Sequence, residues 1–182
     1  MREIEIKVRV RDEPKLVAAL TKASCVLSDP LKQHDVVYAQ PGLLGAEKDS
    51  IWLRIRTQND TTHIFTLKKH MSNQMDSLEH EVEVNSDTET VAIMQALGYE
   101  LFSDLTKIRR KAQFGEYEVC LDELPELGTY FEIEKLCAND VDPDEVRAEL
   151  WDVLHSFGID ESDEETLGYD VLERRHRGLP AN

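Results

Sequence analysis

Residues 1–10 read MREIEIKVRV, and their even and odd positions differ in kind. Ile4, Ile6, Val8 and Val10 alternate with Glu3, Glu5, Lys7 and Arg9. A period of two is the signature of a β-strand, here with one apolar face and one fully charged face. On a single strand the charged face is ordinarily solvated. Acids beside bases also suit the wall of a site that uses both signs of charge.

The same alternation returns along the chain. Arg54 and Arg56 oppose Leu53 and Ile55, and Thr66 and Lys68 oppose Phe65 and Leu67. Glu79, Glu81 and Glu83 oppose Val82 and Val84, while Lys107, Arg109 and Lys111 share one face. Glu118, Cys120 and Asp122 oppose Tyr117, Val119 and Leu121, and Glu132 and Glu134 oppose Phe131 and Ile133. Amphipathic helices need apolar sheet faces to cover, and these strands supply them. About eight strands can close into a barrel wide enough for one small ligand. With the apolar faces outward under helices, the charged faces line the interior. Unpaired ions there would each cost several kcal/mol, so the interior must be wet or hold compensating ligands.

The charges are sorted by strand. Clustered Arg and Lys match phosphate oxygens. Clustered carboxylates match a hard divalent cation that bridges to phosphate. Together they describe a site for a metal-bound polyphosphate.

Composition narrows the class. The 182 residues suit one domain, with 41% apolar residues to build an interior. A formal net charge of −16 argues against a general nucleic-acid or acidic-membrane binder. Apolar runs are too short for a membrane helix, and a patterned strand begins at once, without a signal-peptide pattern. Cys25, Cys120 and Cys137 lack metal-finger spacing and read as reduced thiols in a cytoplasmic protein.

Helical spacing is expected over residues 13–23 and 87–98, the latter capped by Asp87, and over 143–157 and 163–176. Residues 41–50 read as a loop, and residues 50–58 and 62–70 as a hairpin. Strand–helix–strand–strand–strand occurs twice, so residues 1–75 and 76–140 read as two similar halves of one domain, followed by C-terminal helices over 141–176.

Glu3-x-Glu5-x-Lys7 resembles the ExExK signature of the CYTH superfamily, the triphosphate tunnel metalloenzymes. QHDVVYAQP (33–41), WLRIR (52–56), FTLK (65–68), LEHEVEV (78–84), TKIRRK (106–111), VCLDELPELGTYFEIE (119–134) and LGYDVLER (167–174) resemble its further motifs in order. The resemblance implies an α+β protein: an eight-stranded antiparallel closed β-barrel, a tunnel with helices packed outside, binding a triphosphate with Mg²⁺ or Mn²⁺. Carried over by position, Lys7, Arg54, Arg56, Lys68, Lys107 and Arg109 would hold phosphate. Glu3, Glu5, Asp122, Glu132 and Glu134 would hold metal. Glu3, Glu5, Lys7 and Asp122 would carry the chemistry, with Glu81 and Glu83 as supporting acids and Lys111 and Arg9 less central. Val37, Ala39, Lys69, His70 and Gly168 depart from the family pattern.

The length and the 119–134 region look most like the class IV adenylyl cyclase branch, near the thiamine triphosphatases. Expected substrates are ATP, inorganic triphosphate or thiamine triphosphate, with cyclisation of ATP slightly preferred over triphosphate hydrolysis. A non-catalytic polyphosphate-binding module and a merely solvated sheet are the rivals. The exposed helices leave room for a homodimer.

Overall fold

The computed structural model describes residues 1–45 and 47–182. Strands β1 (Arg2–Arg9), β2 (Leu31–Ala39), β3 (Ile51–Gln58), β4 (Thr62–His70), β5 (Asp76–Val84), β6 (Glu100–Phe114), β7 (Tyr117–Leu124) and β8 (Gly128–Cys137) form the sheet. Helices α1 (Glu13–Lys22), α2 (Asp87–Ala96), α3 (Pro143–Ser156) and α4 (Tyr169–His176) complete the chain, with a 3₁₀ turn at Glu161–Asp163. The strands close in the order β1-β5-β4-β3-β2-β6-β7-β8, every pair antiparallel, giving the expected closed barrel.

The order explains the echo between the two halves of the sequence. The meanders β2–β4 and β6–β8 are each sealed by the first strand of the other half, β5 beside β4 and β1 beside β8. Hairpin chemistry fixes their registers. Three residues, Asn59–Thr61, join β3 to β4: Asn59 and Asp60 both take positive φ (47° and 62°), and the Thr61 N–H donates to the Gln58 carbonyl at 3.0 Å.

The outward faces are apolar and covered. Ile4, Ile6 and Val8 of β1 pack with Val119, Leu121, Phe131 and Ile133 beneath Leu16 and Leu20 of α1 and Val146, Leu150 and Leu154 of α3. Each such fully buried side chain contributes roughly 1.5–3 kcal/mol. Pro143 opens α3, and Gly158 (φ +79°) follows its cap residue Phe157. On the far side, α2 covers Tyr38, Leu53 and Ile55 with Met94.

Three expected details change. The cap of α2 is Ser86, whose side chain accepts from the Glu89 N–H at 3.1 Å, and Asp87 is the first helical residue. The strand that the sequence places at LTKIRRKAQ (105–113) starts earlier, at Glu100, because β6 pairs with all of β2 across an irregularity at Val37/Tyr38. The helix expected over 163–176 begins only at Tyr169. β5 pairs β1 only over Arg2–Ile4, leaving backbone groups on the rest of that edge to satisfy. The Glu165 N–H donates to the Lys7 carbonyl at 2.8 Å, and Glu164 bridges Val8. The chain from 164 to 168 therefore follows that edge without helix and bends at Leu167. Residues 41–50 lie between β2 and β3 as expected, Ala46 falling outside the described residues.

Candidate active site

Because side chains alternate across each strand, the register that turns Ile4 and Ile6 outward turns Glu3, Glu5 and Lys7 into the barrel. The interior holds a cavity of about 470 Å³. Ten of the sequence-predicted residues line it: Glu3, Glu5, Lys7, Arg54, Arg56, Lys68, Lys107, Arg109, Glu132 and Glu134. Glu81 and Lys111 also reach it, whereas Glu83 is exposed at the end of β5 and Arg9 packs outside against Tyr130.

One end of the cavity is wet and the other dry. Lys111, Glu118 and Glu81 sit at the wet end, with Met1 and Leu136 more than half exposed. Lys7 and Lys107 mark the dry end, 1% and 2% exposed. The strap of residues 164–170 crosses that end: the Leu167 carbonyl accepts from Lys7 Nζ, and the Tyr169 ring lies 4.4 Å from Lys7 Nζ and 4.7 Å from Lys107 Nζ.

The cations are held by acids across the sheet. Asp35 takes both Nε and Nη2 of Arg56 at 2.7 Å, a bidentate pair. Glu79 meets Lys68 at 3.0 Å, and Glu81 meets Arg54 at 2.9 Å. Asp122 is wholly buried and accepts from Lys107 at 3.0 Å and from Arg109 Nε at 2.6 Å. Arg109 Nη2 reaches both Asp122 and Glu132. Burial alone would raise the Asp122 carboxyl, but Arg109 and Lys107 hold it well below the usual carboxylate range.

Glu3, Glu5 and Glu134 behave differently. Their carboxylate oxygens converge within 4.8 Å of one another. Burial pushes Glu3 well up, with Glu79 and Glu134 adding to it, and burial with Glu132 raises Glu5. Burial and the neighbouring Glu5 and Glu118 push Glu134 up to about 8. Three crowded carboxylates with an all-oxygen donor set fit a hard divalent cation. Of the five carboxylates expected to hold metal, Glu3, Glu5 and Glu134 converge in this way, while Asp122 and Glu132 contact Arg109.

A pH dependence follows. A raised folded-state pKa contributes stability that is present below the unfolded value and lost as pH rises through the folded one. Without metal, the Glu134 contribution therefore disappears between about pH 4.5 and 8. Glu134→Gln is expected to melt above the wild type at pH 8.5 in chelator and to converge with it near pH 5. Thermal unfolding at the two pH values checks this, and equal melting at pH 8.5 would contradict it.

Asp35, Glu79, Tyr169 and Asp170 line the cavity as well. Glu79 carried a signal in the alternation of its strand, and Asp35 lies in QHDVVYAQP (33–41), which resembles a family motif. Tyr169 and Asp170 fall in LGYDVLER (167–174), which resembles a family motif, but helical spacing over 163–176 does not direct them into the tunnel. Among the described residues no helix is long and apolar enough to cross a membrane.

Comparison with known proteins agrees with this fold. A candidate adenylate cyclase of Methanocaldococcus jannaschii is 28% identical over 161 residues, covering 87% of this chain and 91% of its own. A solved protein of Pyrococcus horikoshii superposes with a TM-score of 0.79 at 23% identity, over 92% of this chain and 97% of its own. A candidate adenylyl cyclase from Hippeastrum, described as having a dominant triphosphatase activity, superposes at 0.60 with 18% identity, over 98% and 97%. The CYTH domain family matches residues 1–169, and with the barrel, its charged interior and its acid cluster in place, the chain belongs to that family.

Proposed function

We propose that the tunnel is the active site of a divalent-metal-dependent enzyme acting on a triphosphate, and that it converts ATP to cyclic AMP and pyrophosphate. The observation that carries this reading is the polarity of the cavity. A nucleoside triphosphate entering the wet end goes in phosphate first. Its terminal phosphoryl group then meets Lys7, Lys107 and Arg109 at the dry end, and the α-phosphorus stays beside Glu3, Glu5 and Glu134.

In the reaction the 3′-hydroxyl oxygen bonds to the α-phosphorus and the bond from that phosphorus to the bridging oxygen breaks. The hydroxyl proton passes to a carboxylate of the cluster, where burial and crowding raise Glu3, Glu5 and Glu134 alike. Pyrophosphate carries away the bonding pair. Glu3, Glu5 and Glu134 would hold a Mg²⁺ or Mn²⁺ ion, which would supply charge neutralisation at the reacting centre. Lys7, Lys107, Arg109 and Arg56 stabilise the charge that develops on the departing pyrophosphate, inside walls where such interactions are little screened. Asp122, Glu132 and Asp35 hold these cations in position.

Hydrolysis of inorganic triphosphate is the second reading. It is favoured by the same walls, which contact phosphate rather than nucleoside, and by the activity described for the Hippeastrum protein. Product analysis with ATP, inorganic triphosphate and thiamine triphosphate, each with Mg²⁺ and with Mn²⁺, separates the two. Cyclic AMP and pyrophosphate from ATP are expected. Free phosphate as the main product would replace cyclisation by hydrolysis, and tight binding without any product would leave a binding module.

A further inference from the structure

At the wet mouth β5 runs past the start of β1. Glu79 is the last residue of β5 held on that side: its N–H donates to the Met1 carbonyl, and its carbonyl accepts from the Met1 amine, both at 3.0 Å. The strand continues to Val84, with β4 along its other edge. Backbone groups of an antiparallel strand point to its two edges in alternation. Because Glu79 faces β1, Glu81 and Glu83 turn their N–H and C=O groups to the same edge, while His80, Val82 and Val84 bond β4. Among the described residues no backbone group pairs with those of Glu81 and Glu83.

The segment is open to solvent. Val82 is 55% exposed on the outer face, and His80, Glu81 and Glu83 are exposed beside it. The ladder with β4 keeps its register to Val84 without a bulge, and residues 80–84 hold neither proline nor lysine. Those are the usual devices that keep an open edge from accepting a further strand. What the edge does carry is negative charge. Glu81 meets Arg54 at 2.9 Å and stays half exposed, and Glu83 has no ion-pair partner among the described residues.

That charge chooses the partner. A second copy paired antiparallel about Val82 would set the Glu81 and Glu83 carboxylates of the two chains against each other, and like charges directly opposite are destabilising. Each copy also carries a formal net charge of −16. A strand with Lys or Arg at alternate positions instead places a cation opposite each carboxylate, and the apolar residue between them lies against Val82.

We propose that the β5 edge from His80 to Val84 is a docking site for an extended basic segment of a partner protein, which adds a strand in line with β1 beside the tunnel mouth. Backbone hydrogen bonds to Glu81 and Glu83 hold the segment, and its alternation of cationic and apolar side chains selects it.

Three fluorescein-labelled heptapeptides test the site on the full chain, by anisotropy and by amide hydrogen exchange: alternating Lys and Val, the same peptide methylated at its lysine backbone nitrogens, and alternating Glu and Val. Methylation keeps every charge and blocks strand pairing. The Lys–Val peptide is expected to bind at least about tenfold more tightly than its methylated form, and the Glu–Val peptide not to bind. At saturation it should slow exchange of the Glu81 and Glu83 amides at least about tenfold. Glu83→Pro removes an edge N–H that the β4 ladder does not use, and should weaken the Lys–Val peptide at least about tenfold. Glu83→Lys should weaken it by a similar factor and serves if the proline variant fails to fold. Equal binding of the methylated peptide, or unchanged exchange at Glu81 and Glu83, would overturn the docking site. A wild type that sediments as a dimer and dissociates on Glu83→Pro would give the edge to a second copy and overturn the basic partner.

Discussion

Glu5→Gln is expected to lower turnover by at least about a thousandfold, the loss of roughly 4 kcal/mol of transition-state stabilisation. Glu5 is the central member of the acid cluster, opposite Glu134 in the β1–β8 register and two residues from Glu3 on the same face. Glutamine keeps the shape and removes the charge. The crowding that raises Glu5 in the metal-free protein is relieved by the change, so the melting temperature in chelator should hold or rise. Steady-state rates with Mn²⁺, read beside thermal unfolding in chelator, check both halves. Retained activity would remove Glu5 from the reacting centre.

Asp122→Asn acts on the other end and in the other currency, stability. Asp122 faces Arg109 directly across the β6–β7 register and reaches Lys107 two residues away. All three are buried. Neutralising one partner of a buried ionic group while leaving the others in place costs about 3–5 kcal/mol. For a chain of this size that corresponds to a fall of roughly 6–20 °C in melting temperature. Glu132 still contacts Arg109, so the protein should fold, with Lys107 left without its carboxylate. A loss under about 1 kcal/mol would mean that water enters this end of the tunnel, since exposed ion pairs are worth no more than that.

These two residues also mark what a sequence can and cannot disclose. Glu5 was legible because strand alternation is local: Ile4 and Ile6 must go under the helices, so Glu5 must go inside. The barrel followed for the same reason, strand by strand. Asp122 was legible as an inward carboxylate, but its partners were not. Which cations stand across from it depends on the register between β6 and β7, and the same alternation is compatible with metal ligation or with ion pairing. The chain at 164–168 reads as part of a helix over 163–176 for a related reason. Its conformation is set by the uncovered edge of β1, more than a hundred residues away, and not by any periodicity of its own. Tyr169 reaches the tunnel only because that strap crosses the end. The cap of α2 moved by one residue because Ser86 and Asp87 are both good caps, and only Ser86 reaches the Glu89 N–H.

The central claim is that Glu3, Glu5 and Glu134 together hold a divalent cation that a triphosphate inside the tunnel binds in turn. The most direct measurement is a Mn²⁺ titration followed by electron paramagnetic resonance, at pH 8, with and without inorganic triphosphate. The wild type is expected to bind Mn²⁺ more tightly when triphosphate is present, and Glu134→Gln to lose that coupled binding while melting as a folded protein. Mn²⁺ binding that ignores triphosphate, or that survives Glu134→Gln unchanged, would contradict the account.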